Sequence, residues 1–255
     1  MNKNWLLYTG IVLFVFGVVS CADNKLLKTQ GEARRAVGEA YMNQNDYTAS
    51  LNELLESEKL YPNDPHLHND LGLVYMAKDR LQLAVDHFKK AVELKPDYAP
   101  AINNLGTAYL ALKDWDSAIV CFDKVYKNLL YATPHYSLSN LGWAYYNKKE
   151  YSLAEKYYKE ALKLDTNFPI ALHGLGITYL KTGNISEAVI YLEKAIKYSP
   201  WYPERYMDLS EAYIKLKQYD KAIGCYYKVI EISPDNDLSA QAQKEISRLK
   251  ADKHE

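Results

Sequence analysis

Leu71-Gly72-Leu73-Val74-Tyr75 returns as Leu105-Gly106-Thr107-Ala108-Tyr109, and both are versions of a pentapeptide that runs through the chain. Its other copies are Val37-Gly38-Glu39-Ala40-Tyr41, Leu141-Gly142-Trp143-Ala144-Tyr145, Leu175-Gly176-Ile177-Thr178-Tyr179 and Leu209-Ser210-Glu211-Ala212-Tyr213. The small second residue falls at 38, 72, 106, 142, 176 and 210, in steps of 34, 34, 36, 34 and 34 residues. A second set of marks follows each copy. Small residues stand at Ser50, Ala84, Ala118, Ala154, Ala188 and Ala222, with Leu54, Phe88, Phe122, Tyr158, Leu192 and Tyr226 four places on. Three places further come Ser57, Ala91, Val125, Ala161, Ala195 and Val229. Steps of four and three keep side chains on one face of a helix. Each unit therefore reads as two helices, in which small residues allow close approach and one large residue fills the space left. Turn residues (Asn45-Asp46, Lys113-Asp114, Gly183-Asn184) separate the two helices, and Pro62, Pro96, Pro200 and Pro234 close four of the units.

A period near 34 residues with these marks resembles the tetratricopeptide repeat. The resemblance implies an all-α fold: a right-handed superhelical solenoid of six helix pairs. The repeats are placed at 31–64, 65–98, 99–134, 135–168, 169–202 and 203–236, the third being two residues longer than the others, at Asn128–Pro134. Residues 237–255 read as a capping helix and tail, with Ala240, Ile246 and Leu249 as the apolar marks. An array needs such a cap, because its last repeat otherwise leaves an apolar face open.

Composition narrows the function. Lys and Arg total 31 against 32 Asp and Glu, which gives no general attraction to nucleic acid or to anionic lipid. Lys89-Lys90 and Lys148-Lys149 are isolated doublets, so no nucleic-acid partner is expected. The 24 Tyr against 5 Phe follow from a repeat with a fixed tyrosine position. Cys21, Cys121 and Cys225 are too few and too scattered for a disulfide framework or a zinc cluster. The last two share a repeat position and read as small buried hydrophobes. His66 and His68 are two apart and so face different sides of a helix, and no metal or cofactor is expected. No phosphate-binding glycine loop, nucleophile elbow or paired zinc-histidine motif occurs. The reading is of a protein that is not an enzyme and has no small-molecule substrate.

The amino terminus carries a different signal. Trp5–Val19 is an uncharged, largely apolar run, shorter than the ~20 residues a membrane-crossing helix needs. It ends in Val18-Val19-Ser20-Cys21, followed at once by Ala22-Asp23-Asn24-Lys25. This resembles a bacterial lipobox, although Val stands where Leu and a small residue are more usual. The expectation is a lipoprotein signal peptide at 1–20, lipidation of Cys21 and a lipidated linker at 21–30. Acyl chains contribute about 0.8 kcal/mol per buried CH₂, enough for durable membrane attachment when several are present. By the lipoprotein sorting rule of enterobacteria, Ala22 implies the outer membrane, with the protein facing the periplasm.

The tetratricopeptide resemblance also implies that the first helices of the pairs line a groove. Its expected lining is Leu73 and Met76 in the second repeat, then Asn103, Thr107 and Leu110 in the third. The fourth supplies Tyr136, Trp143 and Tyr146, and the fifth Ile170, His173, Ile177 and Leu180. Met207 and Ile214 complete it in the sixth, whereas the first repeat offers Glu32, Arg35, Glu39 and Asn43. Exposed apolar surface of this extent marks a protein-binding site.

A lipobox, a short polar spacer, six repeats and a cap resemble the PilF/PilW/Tgl family of type IV pilus pilotins. The irregular segment Leu130-Tyr131-Ala132-Thr133-Pro134 ahead of Ser139-Asn140-Leu141-Gly142 adds to the likeness. The resemblance implies an outer-membrane lipoprotein that assists the pilus secretin in reaching the outer membrane and assembling there. A scaffold lipoprotein of another envelope machine, for polysaccharide export or secretion, is the alternative.

Overall fold

Proline at the first or second position of a helix needs no amide partner and presets the backbone. Five helices begin this way: Pro65–Ala77 (α3), Ala99–Ala111 (α5), Pro134–Asn147 (α7), Pro169–Thr182 (α9) and Pro203–Lys215 (α11). These alternate with helices that follow a tight turn: Tyr47–Leu60 (α2), Leu81–Leu94 (α4), Trp115–Tyr126 (α6), Tyr151–Leu164 (α8), Ile185–Tyr198 (α10) and Tyr219–Ile232 (α12). Residues 24–43 form α1, and Asp237–Ala251 forms α13. The computed structural model describes residues 24–127 and 133–251. The expected signal segment 1–20, Cys21, most of the irregular third-repeat segment and the last four residues lie outside the described residues. Residues 24–30, assigned to a linker by the sequence reading, continue α1, and no Pro or Gly interrupts them before Gly31. The described residues contain no strand, and none of their helices is long and apolar enough to cross a membrane.

The chain divides into two units, 1–112 and 113–255. In the first, α2 packs on α3, α3 on α4 and α4 on α5, with α3 also touching α5. In the second, each helix from α6 to α13 packs on the next. There α9 touches both α7 and α11, and α11 touches α13. Short connections make successive helices antiparallel, so each unit is a stack of helical hairpins of the helical-repeat type.

The turns inside the hairpins share one backbone device. Asn45, Asp79, Lys113, Lys149 and Lys217 all have φ between 56° and 63°, and Gly183 has 83°. These positions repeat with the period of the pentapeptide. Left-handed backbone costs a side chain roughly 1–2 kcal/mol, least for Asn and Asp, and only at Gly183 is that cost absent. Asp46 and Asp114 then cap the following helices, accepting from the Ala49 and Ser117 amides at 3.0 and 3.1 Å.

Close approach explains the small residues. A Cβ on Gly72 would lie 2.4 Å from the Phe88 ring, and one on Gly142 would lie 2.8 Å from the Tyr158 ring. Tyr158 is enclosed from a second side too, since a Cβ on Gly174 would come within 2.2 Å of it. The second-helix positions are sealed: Leu54, Phe88, Phe122 and Leu192 are fully buried, as are Ala84, Ala118, Ala154, Ala188 and Ala222. Cys121 and Cys225 are buried, and burial pushes the Cys225 thiol up to about 12. In α13 the buried face is Ser239, Ala242, Ile246 and Leu249, while Ala240 is exposed. Ile246 and Leu249 are thus buried as expected, whereas Ala240 falls off the stripe, whose steps of three and four run through 239, 242, 246 and 249.

Candidate protein-binding face

In the second unit, the first helices of three successive hairpins (α7, α9 and α11) lie side by side. Trp143 and Tyr146 on α7 are three apart, so they stand one above the other on that helix. Their rings stack at 5.5 Å between centroids and 11° between planes, with Trp143 40% exposed. Tyr151 meets the Tyr146 ring edge-on at 5.7 Å, which fixes one edge of the plate. Asn147 donates to the Trp143 carbonyl at 2.8 Å, one turn back along the same helix. Burial, then Tyr151, Asp208 and Glu211, push the Tyr146 hydroxyl up to about 12, so it remains a protonated donor. Tyr136, at the start of α7, is exposed and packs edge-on against buried Phe168 at 4.8 Å.

On α9, Ile170 is exposed, and half-buried His173 places Nε2 2.7 Å from Asp208 Oδ2 on α11. Met207 and Ile214 on α11 are half-buried. They line a cavity of about 520 Å³ with Glu204, Asp208, Glu211 and Arg248. The face therefore offers stacked aromatic rings at one side and apolar side chains among carboxylates at the other. Such a surface suits an extended or helical peptide with an apolar anchor and a cationic neighbour.

Two expected members are misplaced. Ile177 and Leu180 are each 7% exposed and belong to the packing of α9. That helix packs against α7, α8, α10 and α11, and both residues lie inside that packing. Conversely, Asp208, Glu204 and Glu211 were missed. Asp208 directly follows the expected Met207, but only the neighbouring helix reveals that it meets His173.

The first unit presents a different surface on its corresponding helices. Leu73, Met76, Asn103, Thr107 and Leu110 are all half-buried. Thr107 donates its hydroxyl to the Asn103 carbonyl at 3.1 Å. Beside them, Arg35 on α1 pairs with Asp64 and Asp70 at 3.2 Å each and with Glu39. Asn104 donates to Asn69 at 2.9 Å. Burial and the nearby Glu39 push the Asp70 carboxyl up to about 7, against the opposing pull of Arg35. Here Arg35 and its carboxylates pair with one another, while the buried Asn103 Oδ1 has no hydrogen-bond partner, and among the described residues the open aromatic surface of the second unit has no counterpart.

Comparison with known proteins places the repeats. Profiles described as "Tetratricopeptide repeat" match residues 64–130, 97–167, 169–200 and 186–252, and one described as "TPR repeat" matches 38–79. The anaphase-promoting complex subunit cut9 of Schizosaccharomyces pombe is 35% identical over 126 residues, 46% of this chain and 18% of that protein. The type IV pilus assembly protein PilF of Pseudomonas aeruginosa is 25% identical over 159 residues, 60% of this chain and 63% of PilF. In both cases the chain spans less than two thirds of the relative. The crystal structure of PilW, a widely conserved type IV pilus biogenesis factor, superimposes with a TM-score of 0.76 at 20% identity. That superposition covers 86% of this chain and 97% of PilW. The PilF structure gives 0.73 at 17% identity, covering 89% and 99%.

Proposed function

The chain belongs to the tetratricopeptide repeat family, and from that premise we propose that it is a lipid-anchored scaffold for type IV pilus assembly. Its client is the pilus secretin, which it helps to reach the outer membrane and assemble into a multimer. The family and its neighbours point to protein interaction rather than catalysis. The observation that carries the reading is the Trp143–Tyr146 stack, an aromatic plate left accessible beside the carboxylates of α11. Burying one large side chain on such a plate contributes roughly 1.5–3 kcal/mol, so a few anchors suffice for a working affinity. Likeness to PilF and PilW supports the pilus setting. The lipobox supports lipidation at Cys21 and attachment to the outer membrane on the periplasmic side.

The experiment is complementation of a deletion strain. Wild type is expected to restore heat-resistant secretin multimers and pili, and a Trp143→Ala, Tyr146→Ala double variant to restore neither while accumulating as a helical protein. Normal multimers in the deletion strain itself overturn the pilus assignment. Full rescue by the double variant overturns the binding face. Cys21→Ala is expected to leave an unprocessed precursor that takes up no labelled palmitate; equal labelling of both proteins would rule out the lipobox.

A further inference from the structure

Three polar side chains of the first unit occupy positions that every later repeat interface fills with apolar or weakly polar ones, although the first repeat carries Arg34 and Glu53 at two of them. Glu58 on α2, His68 on α3 and His87 on α4 bring a carboxylate oxygen and two ring nitrogens within 4.8 Å of one another. The same three positions hold Leu162, Leu172 and Tyr191 at one later interface, and Ile196, Tyr206 and Cys225 at the next. The remaining two interfaces likewise have no His, Asp or Glu there. Replacing three such residues together by His, His and Glu puts a buried His68 and two partly buried groups at one repeat interface, which is costly unless they gain partners.

Geometry gives the group a direction. His68 is 5% exposed, and its Nε2 lies 2.8 Å from the Pro62 carbonyl oxygen. A carbonyl only accepts, so Nε2 carries the proton and Nδ1 presents a lone pair. That lone pair faces His87 Nδ1 at 3.0 Å, with Glu58 Oε1 3.8 Å away. A ring N–H held by a backbone carbonyl, which leaves the other nitrogen's lone pair for an ion, is how proteins orient metal-binding histidines. The Tyr75 ring stacks on His87 at 5.2 Å and 20°, fixing the plane of the second imidazole.

We propose that Glu58, His68 and His87 bind one divalent transition-metal ion of the Zn²⁺ class, tying α2, α3 and α4 together. Two imidazoles and a carboxylate suit zinc, and three ligands leave a fourth position for water. Bonds of about 2.0–2.2 Å in a tetrahedron set donor separations near 3.4 Å. The pairs that involve His68 are at 3.0 and 3.8 Å and the widest separation in the group is within 4.8 Å, so an opening of the His pair and a swing of Glu58 toward His87 complete the shell. Without the ion, His87 Nδ1–H donates to His68 Nδ1. On binding, the ion takes that place, and the His87 proton moves to Nε2 through solvent with no net release from the neutral pair.

The test is calorimetric titration of the chelator-stripped full chain with Zn²⁺, repeated with Co²⁺ for its visible spectrum. The expected result is one tight equivalent, a four-coordinate Co²⁺ spectrum, and a melting temperature raised by about 5 °C at saturating metal. His87→Ala and Glu58→Gln should weaken binding by roughly 10–100-fold or more and abolish the thermal shift. His66→Ala and His173→Ala should leave both unchanged. Helicity of the His87 variant, whose side chain is only partly buried, checks that the fold persists. The proposal is overturned by no saturable binding to wild type, or by binding of the same stoichiometry and affinity in His87→Ala and Glu58→Gln.

Discussion

The two units share one frame and use it differently. In both, Gly faces a large residue of the partner helix (Gly72 with Phe88, Gly142 with Tyr158) and the hairpin turns through a left-handed residue. The positions between these marks diverge. The first unit fills them with an ionic network around Arg35 and with the Glu58–His68–His87 group. The second unit fills them with Trp143, Tyr146 and Tyr136, partly open to solvent. Packing fixes the frame residues because each has a cavity or a close contact to satisfy. The intervening residues are left free to serve binding, and the contrast shows which part of a repeat can change task without changing the fold.

The contrast can be broken at its strongest point first. Tyr158→Ala empties the enclosed position between Gly142 and Gly174 and is expected to cost the second unit about 3–5 kcal/mol, read by urea unfolding. Hydrogen exchange should then rise in α7, α8 and α9 and stay unchanged in the first unit. Arg35→Ala should cost the first unit about 2 kcal/mol or more, because Asp64 and Asp70 keep their burial and lose their cation.

A smaller effect separates the units by pH. An ordinary aspartate titrates near 3.9, whereas the folded protein holds the Asp70 proton up to about 7. The native state therefore binds this proton more tightly than the unfolded chain does. The contribution of Asp70 to stability is present in full below about 4 and is lost as pH rises toward 7. Asp70→Asn should thus gain on wild type by at least about 1.4 kcal/mol between pH 4 and pH 7.5, measured with chelator present. A constant difference across that range would remove the buried-carboxyl account. The smallest expected effect belongs to the turns. Lys217→Gly relieves a left-handed backbone at φ 57° and should stabilise the second unit by about 0.5–1 kcal/mol, while Gly183→Ala should do the reverse.

Much of the fold was legible because a helical hairpin imposes regular distances on small and large residues. The positions of Ala84, Phe88 and Ala91 could be read as buried from spacing alone, and all three are fully buried. The candidate face was legible only in part. Trp143, Tyr136 and Ile170 were identified by a rule about which side of a helix is open, and they are open. The same rule failed for Ile177 and Leu180, since it takes no account of α9 packing against four other helices. Partners across helices were out of reach: spacing along the chain does not reveal that His173 meets Asp208 or that His68 meets His87. Comparing equivalent positions of the later repeat interfaces would have exposed the second pair, because Glu58, His68 and His87 depart together from positions that hold no His, Asp or Glu there.

Site-specific photo-crosslinking in living cells tests the central claim most directly. A photoreactive residue is placed at Trp143 on the aromatic plate, or at Val120, which is 68% exposed on α6. The account predicts a crosslink to the pilus secretin from position 143 and none from position 120. A secretin crosslink from 120 alone, or capture of no envelope protein from 143 in cells that assemble pili normally, would contradict it.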